Sequence, residues 1–197
     1  MLWIGLTGCI GCGKSTVAQL LKSKYGVEVI SADEVSHNVM LTSPIVHTEI
    51  LQRWGLDPKQ MDPEAYRKAI AAKVFGAPEE LQFLERLMHP LIRDEVQKQR
   101  QALESKDHAI AFYDVPLLFE KNMEDQFDLI VGVFASEDVQ RQRISARNTW
   151  SKEDIERRIQ TQMKVEDKIK GCDHIIFNDS SLEDLEQQVE NLYWQLS

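Results

Sequence analysis

The stretch LWIGLTGCIGCGKST, residues 2–16, constrains what this chain can fold into more than any other. Its first half is an unbroken apolar run, as in a strand buried on both faces of a parallel sheet. Its second half places Gly8, Gly13, Lys14 and Ser15 at the spacing G-x-x-x-x-G-K-[ST]. Glycines at such positions let backbone N–H groups turn inward around phosphate oxygens. The lysine then reaches the β- and γ-phosphates, and the hydroxyl after it coordinates Mg²⁺. Residues 14–25, KSTVAQLLKSKY, continue with Val17, Leu20 and Leu21 at helical spacing, and Gly26 follows as a stop signal. The expectation is strand, phosphate loop and helix, with the positive helix end aimed at the anion. Gly8, Gly11, Cys12, Gly13, Lys14, Ser15 and Thr16 would surround the phosphates of ATP or GTP.

The same loop carries a second motif. Cys9 and Cys12 form a C-x-x-C pair, which in other settings is redox-active or binds metal. No second cysteine pair completes a zinc site, because the third cysteine stands alone at 172. The phosphate loop accounts for the stretch, and the two thiols are read as small loop residues, with oxidant reactivity as the alternative.

Composition narrows the function classes. With 197 residues the chain is long enough for one main domain with an insertion. A net charge of -9 repels nucleic-acid backbones, so anionic ligands need a local basic pocket. No apolar run reaches the ~18 residues of a membrane span. The first residues, MLWIGLTG, lack the basic start of a secretory signal. Three cysteines are too few for a disulfide framework. Together these point to a cytoplasmic protein without nucleic-acid or membrane partners.

Further strands are expected at 27–31, 108–115, 128–135 and 174–178, and helices at 136–147, 151–169 and 182–196. Residues 33–102 read as mainly helical, with Pro44, Pro63 and Pro78 near segment starts and Pro90 placed to kink or split the last one. Strands alternating with helices give an α/β fold: a P-loop NTPase-like parallel sheet flanked by helices. Residues 1–32 and 106–197 would form the nucleotide-binding core, with a helical lid at about 136–169. Residues 33–105 would form a helical, substrate-binding insertion.

Neither a guanine-reading N/T-K-x-D motif nor an ABC-type signature is present, which leaves a small-molecule kinase. A nucleoside monophosphate kinase and a nucleotide-binding regulatory module without turnover are the alternatives. A kinase needs a carboxylate for the acceptor hydroxyl and arginines for the transferring phosphoryl group. Asp33, just past the second strand, is the candidate carboxylate; a helix N-cap is the competing reading. Arg143 and Arg147 share a helix face, although a solvated charged face also explains them. Asp114 ends the third strand as a second, Mg²⁺-organising carboxylate or as a turn residue.

The residues now quoted, with a few more, resemble one family along nearly the whole chain. GLTGCIGCGKST (5–16), SADEVS (31–36), HPLI (89–92), DVPLLFE (114–120), QRQRISAR (140–147) and IIFND (175–179) match dephospho-CoA kinases in order and spacing. The resemblance implies transfer of the ATP γ-phosphoryl group to the 3′-hydroxyl of dephospho-CoA, with Mg²⁺. It implies that Asp33 is the base, that Arg143 is the lid arginine meeting the ATP phosphates, and that His89, Pro116, Leu117 and Glu120 lie around the acceptor. The chain departs from the family pattern at Ser31, where an acid is usual, at Cys9 and Cys12, where glycine and serine are common, and at Pro63, where arginine is usual.

Overall fold

The computed structural model describes residues 1–147 and 150–197. The lid expected at 136–169 includes Asn148 and Thr149, which lie outside the described residues. The elements in chain order are β1 (Leu2–Gly8), α1 (Lys14–Tyr25), β2 (Glu28–Ser31), α2 (Ala32–Thr42), α3 (Pro44–Trp54), α4 (Pro63–Val74) and α5 (Pro78–Glu104). They continue with β3 (Ile110–Asp114), β4 (Leu129–Phe134), α6 (Glu137–Arg147), α7 (Lys152–Gln160), α8 (Val165–Lys170), β5 (His174–Phe177) and α9 (Leu182–Leu196). The chain divides into two compact units, Met1–Ser31 with Leu103–Ser197, and Ala32–Ala102.

The first unit is built on a five-stranded sheet of order β2-β3-β1-β4-β5, parallel throughout. β1 lies at its centre because nearly all of its side chains are apolar and its two faces are both covered: Ile4 and Leu6 are fully buried. On one side Leu6 pairs with Asp114 of β3; on the other Gly8 pairs with Val133 of β4. Val17 and Leu21 of α1 and Val189 of α9 are fully buried in the core that this sheet anchors. Tyr25 stacks on Tyr193 with ring centroids 4.4 Å apart. The edge strand β5 is shielded by Gln188, whose side chain accepts from Phe177 N at 3.1 Å and donates to Phe177 O at 2.8 Å.

The second unit is helical. Ser43 and Asp62 cap α3 and α4, and each of these helices has proline in its first turn. Val46, Ile50 and Tyr66 are fully buried. Glu80 of α5 receives Arg53 Nε at 2.7 Å, Arg53 Nη2 at 2.8 Å and Trp54 Nε1 at 2.7 Å, which clamps α3 to α5.

Three local expectations need correction. α5 is not split at Pro90 but continues past it: the residue is exposed, so water can take up the carbonyl that proline leaves without an N–H partner. The segment 151–169 is two helices, α7 and α8, interrupted at residues 161–164. Asp33 is inside the first turn of α2, which begins at Ala32, and is therefore not its N-cap. No helix among the described residues is long and apolar enough to cross a membrane.

Candidate active site

β1 ends at Gly8 and α1 begins at Lys14, so residues 9–13 form the loop. Gly13 has φ 87°, in the left-handed region that side chains disfavour, and a Cβ there would run into Asn178 Nδ2. A Cβ on Gly8 would collide with the carbonyl of Val133 on the neighbouring strand. No side chain caps the first turn of α1, and no acidic residue occupies it. A helix end with neither a side-chain cap nor an acidic first turn can receive an anion from outside the helix.

The loop is held in shape from behind. Cys12 O accepts Asn178 Nδ2 at 2.9 Å and Arg143 Nη1 at 3.4 Å, and Arg143 Nη2 donates to Asn178 Oδ1 at 3.3 Å. Gln162, in the break between α7 and α8, accepts the N–H of Ile10 at 3.0 Å. Arg143 of α6 is therefore in contact with the phosphate loop, whereas Arg147 is exposed in the last turn of that helix. Arg141 points elsewhere: it pairs with Glu137, Asp138 and Glu156, joining α6 to α7.

Lys14 Nζ pairs with Asp114, which is 9% exposed at the carboxyl end of β3. The two motifs meet because β1 and β3 are adjacent and in register at Leu6 and Asp114. Ser15 is exposed at the mouth of the loop. A carboxylate and a hydroxyl are hard oxygen donors suited to Mg²⁺, which keeps several waters and phosphate oxygens of its own. Among the described residues no cluster of three or more His, Cys, Asp or Glu could hold a metal.

Past Asp114, Pro116 O accepts the Thr7 hydroxyl at 3.3 Å, and Leu117 is 41% exposed. Glu120 Oε1 accepts Lys168 Nζ at 2.9 Å and Met163 N at 3.0 Å. Burial pushes the Glu120 carboxyl up, but these bonds outweigh it and hold the group below its ordinary range. In the helical unit, Asp33 is exposed in the first turn of α2 and His89 is exposed on α5.

Cys9 and Cys12 are free and buried, joined by a turn in which Cys12 N donates to Cys9 O at 3.3 Å. The Cys9 thiol, hydrogen-bonded to the Cys12 sulfur and buried, is raised, and the same bond lowers Cys12.

Sequence reasoning overlooked Asn178, Gln162 and Lys168. Asn178 carries a readable signal, a polar residue directly after the strand segment HIIF, much as Asp114 closes its own strand. Lys168 lies within a charge-rich helical segment and has no such mark.

Comparison with known proteins follows the same lines. A family model described as dephospho-CoA kinase matches residues 2–184. The dephospho-CoA kinase of Bdellovibrio bacteriovorus is 36% identical over 192 residues, covering 98% of this chain and 94% of the relative. That of Wolinella succinogenes is 38% identical, covering 96% and 92%. Among solved structures, a dephospho-CoA kinase from Campylobacter jejuni superposes with a TM-score of 0.75 at 27% identity, covering 99% of this chain and 96% of that one.

Proposed function

The chain belongs to the dephospho-CoA kinase family, and from that membership we infer that it phosphorylates the 3′-hydroxyl of dephospho-CoA with ATP, giving coenzyme A and ADP. The observation that carries the site assignment is the pairing of Lys14 with Asp114 at the carboxyl ends of adjacent strands, beside a helix end left uncapped. This is where open α/β sheets bind ligands.

Phosphoryl transfer asks the protein mainly to position the groups and to neutralise charge. Gly11, Cys12, Gly13, Lys14, Ser15 and Thr16 surround the phosphates, with the N–H groups of Cys12 and Thr16 closing the loop and the first helical turn on Cys9 O and Gly13 O, and the Lys14 ammonium offsets charge on the β- and γ-phosphates. Arg143, held against the loop through Cys12 and Asn178, offsets charge on the transferring group. Arg147, one turn further along α6, is assigned to the nucleotide side. Ser15 and Asp114 would hold Mg²⁺, which supplies Lewis-acid neutralisation of the phosphates when bound. Asp33 takes the proton of the acceptor hydroxyl and orients its oxygen. It follows Ser31 by two residues, and Ser31 is the register partner of Asp114. His89, Pro116, Leu117 and Glu120 are assigned to the acceptor side, Pro116 and Glu120 through the backbone and side-chain bonds that shape the 115–120 segment. The helical residues 33–105 bind the acceptor, and the helices within 136–169 act as the lid.

ADP release measured against dephospho-CoA and a panel of nucleoside monophosphates tests the reading. Turnover confined to dephospho-CoA is expected. Turnover on a nucleoside monophosphate instead would assign the chain a different acceptor, and no turnover on any would leave a binding module.

A further inference from the structure

Lys168 is fully buried, although lysine is among the residues least often found inside a protein. Its ammonium has three N–H donors and three acceptors around it: Glu120 Oε1 at 2.9 Å, Gly8 O at 3.2 Å and Pro116 O at 3.5 Å. All of its donors are therefore used inside the protein, and the Glu120 carboxylate balances the buried charge.

The acceptors belong to two segments that matter for the chemistry. Gly8 is the last residue of β1 and the first glycine of the phosphate-loop motif. Pro116 comes two residues after Asp114 and also accepts the Thr7 hydroxyl. Lys168 itself belongs to α8, and the break just before that helix reaches the same region twice: Met163 N donates to Glu120, and Gln162 accepts from Ile10 of the loop. One ammonium thus ties the strand end that carries the loop to the segment that carries Asp114, at the root of the α6–α8 region.

We propose that Lys168 is a positioning residue, fixing the phosphate loop against the Asp114–Glu120 segment through its bonds to Gly8 O, Pro116 O and Glu120. The proposal rests on the phosphoryl-transfer reading of the loop. Its consequence is that donors at position 168 matter more than the fit of the side chain. A displacement of about 1 Å at a reacting centre can cost on the order of 10²-fold in rate.

Lys168→Met keeps the shape and removes the donors, whereas Lys168→Arg keeps charge and donors but fits the cavity worse. Turnover at saturating ATP and dephospho-CoA, expressed per folded molecule, and ATP affinity by calorimetry are measured for wild type and both variants. Lys168→Met is expected to lose about tenfold or more in turnover. Lys168→Arg is expected to retain more turnover and tighter ATP binding than Lys168→Met. Because calorimetry needs no acceptor, the order of the variants in ATP affinity stands even where the assignment of dephospho-CoA fails, and that failure would show in the wild type. If Lys168→Met does not fold for want of a partner for Glu120, Lys168→Met with Glu120→Gln takes its place. A folded methionine variant that equals or exceeds Lys168→Arg in turnover and ATP affinity, or an arginine variant that alone fails to fold, shows that packing governs the position and overturns the proposal.

Discussion

Lys14 and Asp114 meet across two strands, so each keeps the other in place at the mouth of the loop. Lys14→Ala removes the cation from the phosphates, and turnover should fall roughly 10²–10³-fold with the fold retained. Near-normal activity in a folded variant would take Lys14 out of the chemistry. Asp33 is exposed and is not the cap of α2, so its replacement should affect chemistry more than folding. Asp33→Asn is expected to cut turnover by about 10²–10⁴-fold while ATP affinity, read by calorimetry, stays near wild type. A lower melting temperature with turnover retained would contradict the assignment. The two arginines of α6 give a paired test. Arg143 touches the loop through Cys12 and Asn178, while Arg141 spends its guanidinium on carboxylates of α6 and α7. Arg143→Ala should therefore lower turnover by about tenfold or more. Arg141→Ala should leave turnover within a few-fold, because exposed ion pairs contribute little. Equal losses from both would reduce α6 to a charged face with no special position.

At the scale of elements, the clamp between α3 and α5 is the clearest source of pH dependence. Arg53, donating twice, and Trp54 pull the Glu80 carboxyl down to about 2 from an ordinary 4.5. A carboxyl lowered by folding stabilises the native state fully above its ordinary pKa and loses that contribution as pH falls toward the folded value. The stability gap between wild type and Glu80→Gln, from urea midpoints, should thus be constant above about pH 5 and close as pH falls toward about 2. A gap that does not change with pH would mean that packing, and not the ion pair, makes the difference. The elements themselves were largely legible. The apolar runs at 2–7 and 128–135 became strands because each is buried in a parallel sheet, where hydrophobicity is continuous, and the run at 174–178 became the edge strand, buried only at Ile176 and Asn178. What the sequence did not show was settled by tertiary bonds. The 151–169 segment breaks where Gln162 and Met163 are engaged by Ile10 and Glu120, contacts 152 and 43 residues away in the chain. Lys168 follows a similar logic: its partners at Gly8 and Pro116 are backbone carbonyls, which no side-chain pattern announces. The placement of Lys14 and Ser15 at the start of a helix that follows a strand was readable because the motif is local to one loop.

Across the whole molecule, the chain leaves the sheet-bearing unit after Ser31, forms a helical unit, and returns at Leu103 to complete the sheet. The net charge of -9 means that phosphate-bearing ligands depend on cations placed locally, of which Lys14 and Arg143 stand at the loop. This arrangement is expected to move the γ-phosphoryl group of ATP onto one particular hydroxyl. The most direct measurement is the product of a complete reaction with ATP and dephospho-CoA, with ADP counted and the acceptor examined by phosphorus NMR. One phosphorylated acceptor is expected for each ADP, with the new phosphate on the ribose 3′-oxygen. ADP formed without phosphorylated acceptor, or phosphate on any other oxygen, would contradict it.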